Sequence, residues 1–174
     1  YNKIKNLLVT EGNVEIIDTI KKIKINSDKL TYNKNKEIIT TNGNVVFVDI
    51  KQNLTILSDS AIYEKNKEFI STNKNSKAIY EKNKIITATK FDYSKNTNIL
   101  IASGDVKVED EIKDYIIETK TLTYFKNEER ITTKGQTVFF IQSKYEIESA
   151  DVIYLVNQNH LSSDKKTKII KNNS

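Results

Sequence analysis

The sequence predicts an all-β, extended protein, and three observations carry that expectation. Six of its nine tyrosines stand on a ladder, Tyr1, Tyr32, Tyr63, Tyr93, Tyr124 and Tyr154, with steps of 31, 31, 30, 31 and 30 residues. Self-similarity at such a period marks a chain built from one repeated supersecondary unit. Each unit also shows period-two alternation of Val, Ile, Thr, Tyr and Phe, the pattern of strands. Finally, no window keeps the i, i+3, i+4, i+7 apolar stripe of a helix.

All four glycines lie eleven residues after a ladder tyrosine: Gly12, Gly43, Gly104 and Gly135. The equivalent positions after Tyr63 and Tyr154 are Lys74 and Lys165. Each glycine is expected to open a strand, as in Gly12–Asp18, Gly43–Asp49 and Gly104–Asp110. Val14 and Ile16, Val45 and Phe47, Val106 and Val108, and Val138 and Phe140 would then face one side. A second strand ends at the tyrosine, Ser27–Tyr32 and Ser58–Tyr63, weakening to Thr89–Tyr93, Thr121–Tyr124 and Ala150–Tyr154. A Lys-Asn pair follows, at Lys34-Asn35, Lys65-Asn66, Lys95-Asn96 and Lys126-Asn127, and reads as a chain reversal because Asn tolerates left-handed backbone. Lys36–Thr41 and Lys84–Thr89 supply a third short strand per unit. Ala61–Lys67 recurs verbatim as Ala78–Lys84, so the unit itself resembles a duplicated hairpin.

The 174 residues suit one domain, 1–174, with no internal boundary. A chain that begins on a ladder tyrosine and ends in a worn sixth unit (Ser162–Ser174) is expected to be a fragment of a longer protein. The longest apolar runs are about four residues, too short for a membrane-crossing helix. With no cysteine, no disulfide staples the segment. The net charge of +5 is modest, and its lysines alternate with acids, as on a solvated face. Proline is absent, so nothing of that kind blocks pairing at exposed sheet edges.

Little in the chain suggests catalysis. His160 is the only histidine, and no nucleophile elbow, phosphate loop or dinucleotide glycine pattern occurs. The acidic groups Glu109/Asp110/Glu111 and Glu128/Glu129 read as turn residues beside lysines, without the shielded cleft that acid–base work needs. The recurrent Ser-Asp lacks the glycine-rich spacing of calcium-binding repeats, so its Asp reads as a hydrogen-bonding residue at a bulge or turn. Aromatic spacing and mixed charge argue against nucleic acid. No enzyme activity, metal or cofactor is expected.

Glycine-Asn-Val strands alternating with Ser-Asp-x-Leu/Ala-x-Tyr strands and Lys-Asn turns resemble the OstA-like family of lipopolysaccharide transport. That family includes the periplasmic bridge protein LptA and the N-terminal domain of the outer-membrane assembly protein LptD. The resemblance runs from Gly12 to Tyr154 and is most literal in Gly12–Asp18, Ser27–Tyr32, Gly43–Asp49 and Ser58–Tyr63. It implies an elongated, twisted, partly open antiparallel β-jellyroll of about five repeats of 30–31 residues. It also implies an apolar groove for lipopolysaccharide acyl chains and end-to-end stacking with related jellyroll domains by edge-strand pairing. A periplasmic location associated with the outer membrane follows from it too, as does, in the LptD-type branch, an outer-membrane β-barrel in the same chain. The missing glycines at Lys74 and Lys165 and the absence of cysteine depart from the family pattern. The expected groove residues are Val14, Ile16, Ile25, Leu30, Val45, Phe47, Leu54, Ile56, Phe91, Val106, Val108, Leu122 and Phe140. The competing expectation is a structural β-repeat, such as a β-helix adhesin or filament protein, with the same residues filling a closed core.

Overall fold

The computed structural model describes residues 6–81, 83–142 and 144–171; Tyr1, the first rung of the ladder, lies outside them. Four long strands come first: β1 (Leu7–Asp18), β2 (Ile23–Asn33), β3 (Ile38–Asp49) and β4 (Leu54–Glu64). Four half-length strands follow: β5 (Phe69–Asn73), β6 (Ser76–Tyr80), β7 (Lys84–Ala88) and β8 (Lys90–Ser94). Long strands return as β9 (Ile99–Asp110), β10 (Tyr115–Phe125) and β11 (Arg130–Ile141). Short ones close the fold: β12 (Tyr145–Ala150), β13 (Ile153–Leu155), β14 (His160–Ser162) and β15 (Lys168–Lys171). All pairings among the described residues are antiparallel, and together they make one 15-stranded sheet. The fold is the all-β jellyroll that the sequence predicts.

The glycine does not open a strand, as the repeat pattern led us to expect. It sits inside one. The glycine strand and the Ile-Ile-Thr strand before it are a single element, with Gly43 in the middle of β3. The ladder register slips at that point, between Asn42 and Val45, and likewise between Glu11 and Val14 in β1. Gly43 and Asn44 have φ of 76° and 48°, and Gly104 and Asp105 have 79° and 47°. Two successive left-handed residues form a bulge that bends the strand. A Cβ on Gly43 would collide with the Asp28 carboxylate, and one on Gly104 would stand 2.6 Å from the Thr89 hydroxyl. At these two positions a side chain would crowd the bend.

Repeated strand by strand, the bend folds the sheet onto itself along a spine. One leaf carries the ladder tyrosines and is called here the tyrosine leaf; the other carries Val45, Val106 and Val108 and is called the valine leaf. β4 shows the division, pairing β5 with Ser60–Glu64 and β6 with Leu54–Leu57. Where glycine is missing, Lys74 (φ 64°) and Asn75 (φ 47°) adopt the same left-handed pair, and the strand breaks there into β5 and β6. L-residues resist this conformation by about 1–2 kcal/mol each, and the break takes up the difference in geometry.

The Ser-Asp motif belongs to the spine. Ser27 and Ser58 are buried; the Ser27 hydroxyl donates to the Lys29 carbonyl at 3.0 Å, and that of Ser58 to the Lys74 carbonyl at 2.9 Å. Their partner aspartates accept from the bulge asparagine of the next strand: Asn44 to Asp28 at 2.9 Å and Asn75 to Asp59 at 2.8 Å. Side chains thus add hydrogen bonds to the polar groups around these bulges, as buried polar groups require.

The core fills the space between the leaves. At about 1.5–3 kcal/mol for each fully buried large apolar side chain, this interior is what holds the two leaves face to face.

Candidate functional site: the interior and its rims

The structure places most of the predicted groove residues in this interior. Ile25, Leu30, Val45, Phe47, Leu54, Ile56, Phe91, Val106, Val108 and Leu122 are all buried, none more than 2% exposed. Val14 and Ile16, on the outermost strand β1, are half-buried and pack against the same core. Phe140 is the exception. It points outward, lining a cavity of about 230 Å³ on the outer face with Ile85 and Ile116, while Phe139 enters the core. In the other units the second and fourth residues after glycine face inward. In β11 the second is Thr137, which is buried, so counting from Gly135 rather than from the apolar pair selects Phe139.

Inside, the aromatic side chains pack across the gap. Phe47 meets Tyr63 at 5.6 Å and Tyr93 at 6.5 Å between ring centroids, and Tyr80 meets Tyr124 edge-on at 5.2 Å. Tyr115, Phe139 and Tyr154 form a trio, 4.8–5.7 Å apart, that plugs the C-terminal end. The N-terminal end differs. A cavity of about 200 Å³ reaches between the leaves there, lined by Ile16, Ile23 and Ile25 from one leaf and Ile39 and Tyr63 from the other.

Opposite the spine, the hairpin tips of the two leaves meet along a seam. The Lys-Asn pairs do form reversals, but the left-handed residue is the fourth of each tip: Glu37, Glu68, Asn98 and Glu129. Four ladder tyrosines donate a hydrogen bond to the side chain at that position, five residues on: Tyr32 to Glu37 (2.8 Å), Tyr93 to Asn98 (3.2 Å), Tyr124 to Glu129 (2.9 Å) and Tyr154 to Asn159 (3.2 Å). The ladder therefore locks turns. Both partners stand in the sequence at constant spacing, so the signal was there to be read.

Across the seam run ion pairs. Lys95 binds Asp49 at 3.0 Å, where Tyr93 also donates at 3.0 Å, and Asp49 is wholly buried. Lys84 reaches Tyr124 at 2.8 Å, Glu129 at 2.9 Å and Asp110 at 3.7 Å. Lys126 pairs with Glu81 at 3.0 Å, and Asn98 donates to Gln52 at 2.8 Å. Towards the N-terminal end Lys21 pairs with Glu68 at 3.1 Å and Lys65 with Asp18 at a looser 3.8 Å.

The acidic pairs thus do reach a shielded place, contrary to the turn-surface reading: Asp110 and Glu129 converge on buried Lys84. Burial alone would raise the Glu129 pKa, but hydrogen bonds from Lys126, Lys84 and Tyr124 and the Lys84 charge hold it below the ordinary carboxylate value. A carboxyl held ionised is a poor general acid. Burial, reinforced by the Glu37 hydrogen bond and charge, pushes the Tyr32 phenol up to about 12, and burial likewise raises Tyr63, Tyr80, Tyr93 and Tyr124. His160 is exposed on β14. Among the described residues no group of three or more His, Cys, Asp or Glu side chains could hold a metal ion, and no helix is long and apolar enough to cross a membrane.

The chain matches no protein-family profile and no curated protein sequence. Among solved structures it is similar to the crystal structure of LptH from Pseudomonas aeruginosa. That protein is the LptA-homologous periplasmic component of the conserved lipopolysaccharide transport device. The match covers 91% of this chain and 100% of that one, at 12% identity and a TM-score of 0.37.

Proposed function

We propose that this chain is a non-catalytic lipid-binding module of the OstA-like kind. It would carry lipopolysaccharide by its acyl chains through the periplasm towards the outer membrane. The observation behind the reading is the apolar interior between two leaves, reachable at the N-terminal end. Burying each methylene is worth about 0.8 kcal/mol, so an apolar passage grips a multi-acyl lipid without fixing it at one point. The repeat motifs that resemble the family support the same reading. Sugars and phosphates of the cargo would stay outside, among the mixed charges of the rims.

The partners proposed are lipopolysaccharide itself and related jellyroll domains that add strands to β1 at one end or to β14 and β15 at the other. If the segment is of the LptD type, an outer-membrane β-barrel follows in the same chain. Neither cofactor nor nucleic acid enters this role.

One observation favours the structural β-repeat instead: in the middle of the molecule Leu54, Ala78, Ile86, Phe91 and Leu100 are at zero exposure. The leaves must therefore part for cargo to pass. Photocrosslinking from Phe47 and Phe91 to lipopolysaccharide separates the two readings, with outward-facing Ile101 as control. Adducts at the interior pair are expected; adducts at Ile101 alone would leave the structural repeat standing.

A further inference from the structure

One ladder tyrosine breaks the turn-locking rule. Tyr63 is 3% exposed, yet its phenolic oxygen has no hydrogen-bond partner among the described residues. Its fifth residue onward, Glu68, is held by Lys21. Tyr63 is also the ladder residue that lines the N-terminal cavity, beside Ile16, Ile23, Ile25 and Ile39, with Lys65 at the lip. A buried phenol without a partner is costly unless something supplies one.

Resting on the lipid-carrier reading, we propose that this mouth is an end-on entry port for a single acyl chain, and that Tyr63 donates its hydroxyl hydrogen to the chain's ester or amide carbonyl oxygen. The hydrocarbon would run inward over Ile16, Ile25 and Ile39. Charge around the mouth selects against a free carboxylate at that position. Asp18 lines it, and the charges of Glu68 and Asp18 act on Tyr63, while Lys21 is engaged by Glu68 and Lys65 stands 3.7–3.8 Å from Glu37 and Asp18. A neutral acyl linkage meets no such repulsion. Entry is end-on because the seam behind the mouth is closed by the buried Asp49–Lys95 pair and by Lys84 with its two carboxylates. At the mouth itself the pairs are more exposed, and Ile16 is already half open.

The test uses three probes: a monoacylglycerol with a photoreactive group in its chain, the matching alkyl glyceryl ether, which lacks the carbonyl, and the free fatty acid. The full chain should bind the monoacylglycerol best and label at Ile16, Ile25 or Ile39. Tyr63→Phe should weaken that binding by about two- to ten-fold, the worth of one hydrogen bond. It should leave the ether unchanged and the thermal midpoint no lower. A second variant, Gln52→Cys with Asn98→Cys bridged by a short bis-maleimide, clamps the seam and should bind the monoacylglycerol as before. Equal affinity of Tyr63→Phe and parent for the monoacylglycerol, or loss of binding on clamping, would overturn the port while leaving the carrier reading intact. No binding of any of the three probes would overturn both.

Discussion

The spine and the seam lie on opposite sides of the same sandwich, and they are built from opposite materials. At the spine the backbone itself is unusual, bent by paired left-handed residues and repaired by small hydroxyl side chains. Along the seam the strand ends are joined instead by long side chains, among them Lys95–Asp49 and Lys84–Glu129. A hinge needs conformational permission, which glycine supplies; a closure needs reach and charge, which lysine supplies. The two sides of the molecule can therefore be broken independently.

The largest effect is expected at the seam. Asp49→Ala leaves Lys95 buried without its carboxylate, Tyr93 keeping only Asn98, and should cost about 3–5 kcal/mol, read by urea denaturation. Gly43→Ala at the spine should cost about 2–3 kcal/mol, since it adds left-handed strain and a contact with Asp28. An equally large loss at both sites, with a lowered denaturant slope for each, would show that the two sides do not behave separately. Tyr124→Phe should cost about 1–2 kcal/mol, because Lys84 and Glu129 lose a shared partner. Tyr63→Phe, with no bond to lose, should stay within about 0.5 kcal/mol of the parent. Smallest of all, removing the half-exposed pair of Lys107 and Glu109 on the valine leaf's outer face should change stability by less than about 0.5 kcal/mol.

Alkali offers a further separation of the two sides. The buried phenols keep their protons to higher pH when folded than when unfolded. Between those values the folded state binds more protons, so stability is full below about pH 10 and falls as pH climbs above it. Tyrosinate absorbance should therefore rise together with loss of the β-sheet circular dichroism signal. Early titration of most tyrosines in a still-folded protein would contradict the buried seam. Glu129 works in the other direction: its contribution is present above the ordinary carboxylate value and is lost as pH falls through its lowered one.

The two sides also differ in how far they could be read from the residues. The glycine spacing and the Ser-Asp motif mark the spine because a bulge is a local event with local requirements. Even so, the reading split each bent strand in two, since a left-handed pair inside a strand looks like a strand's start. The parity error at Phe140 arose where Thr137 took an inward place usually held by an aliphatic residue. The seam pairs were invisible for another reason. Asp49 meets Lys95, and Lys84 meets Glu129, across 46 and 45 residues. That is about one and a half repeats, an offset created by how the folded leaves sit on one another and written in no single unit. The Tyr-to-fifth-residue lock, by contrast, stood in plain view at constant spacing.

The spine's regularity has a metrical consequence. Each unit of 30–31 residues contributes two neighbouring strands, and strands stand about 4.8 Å apart. Every unit therefore advances the molecule by about 10 Å, whatever its side chains. Because the bend contacts, such as Asn44 to Asp28 and Asn75 to Asp59, join neighbouring strands, whole units can be inserted or deleted without altering the bends that remain. Length is thus a heritable dimension of this protein, graduated in steps of one repeat.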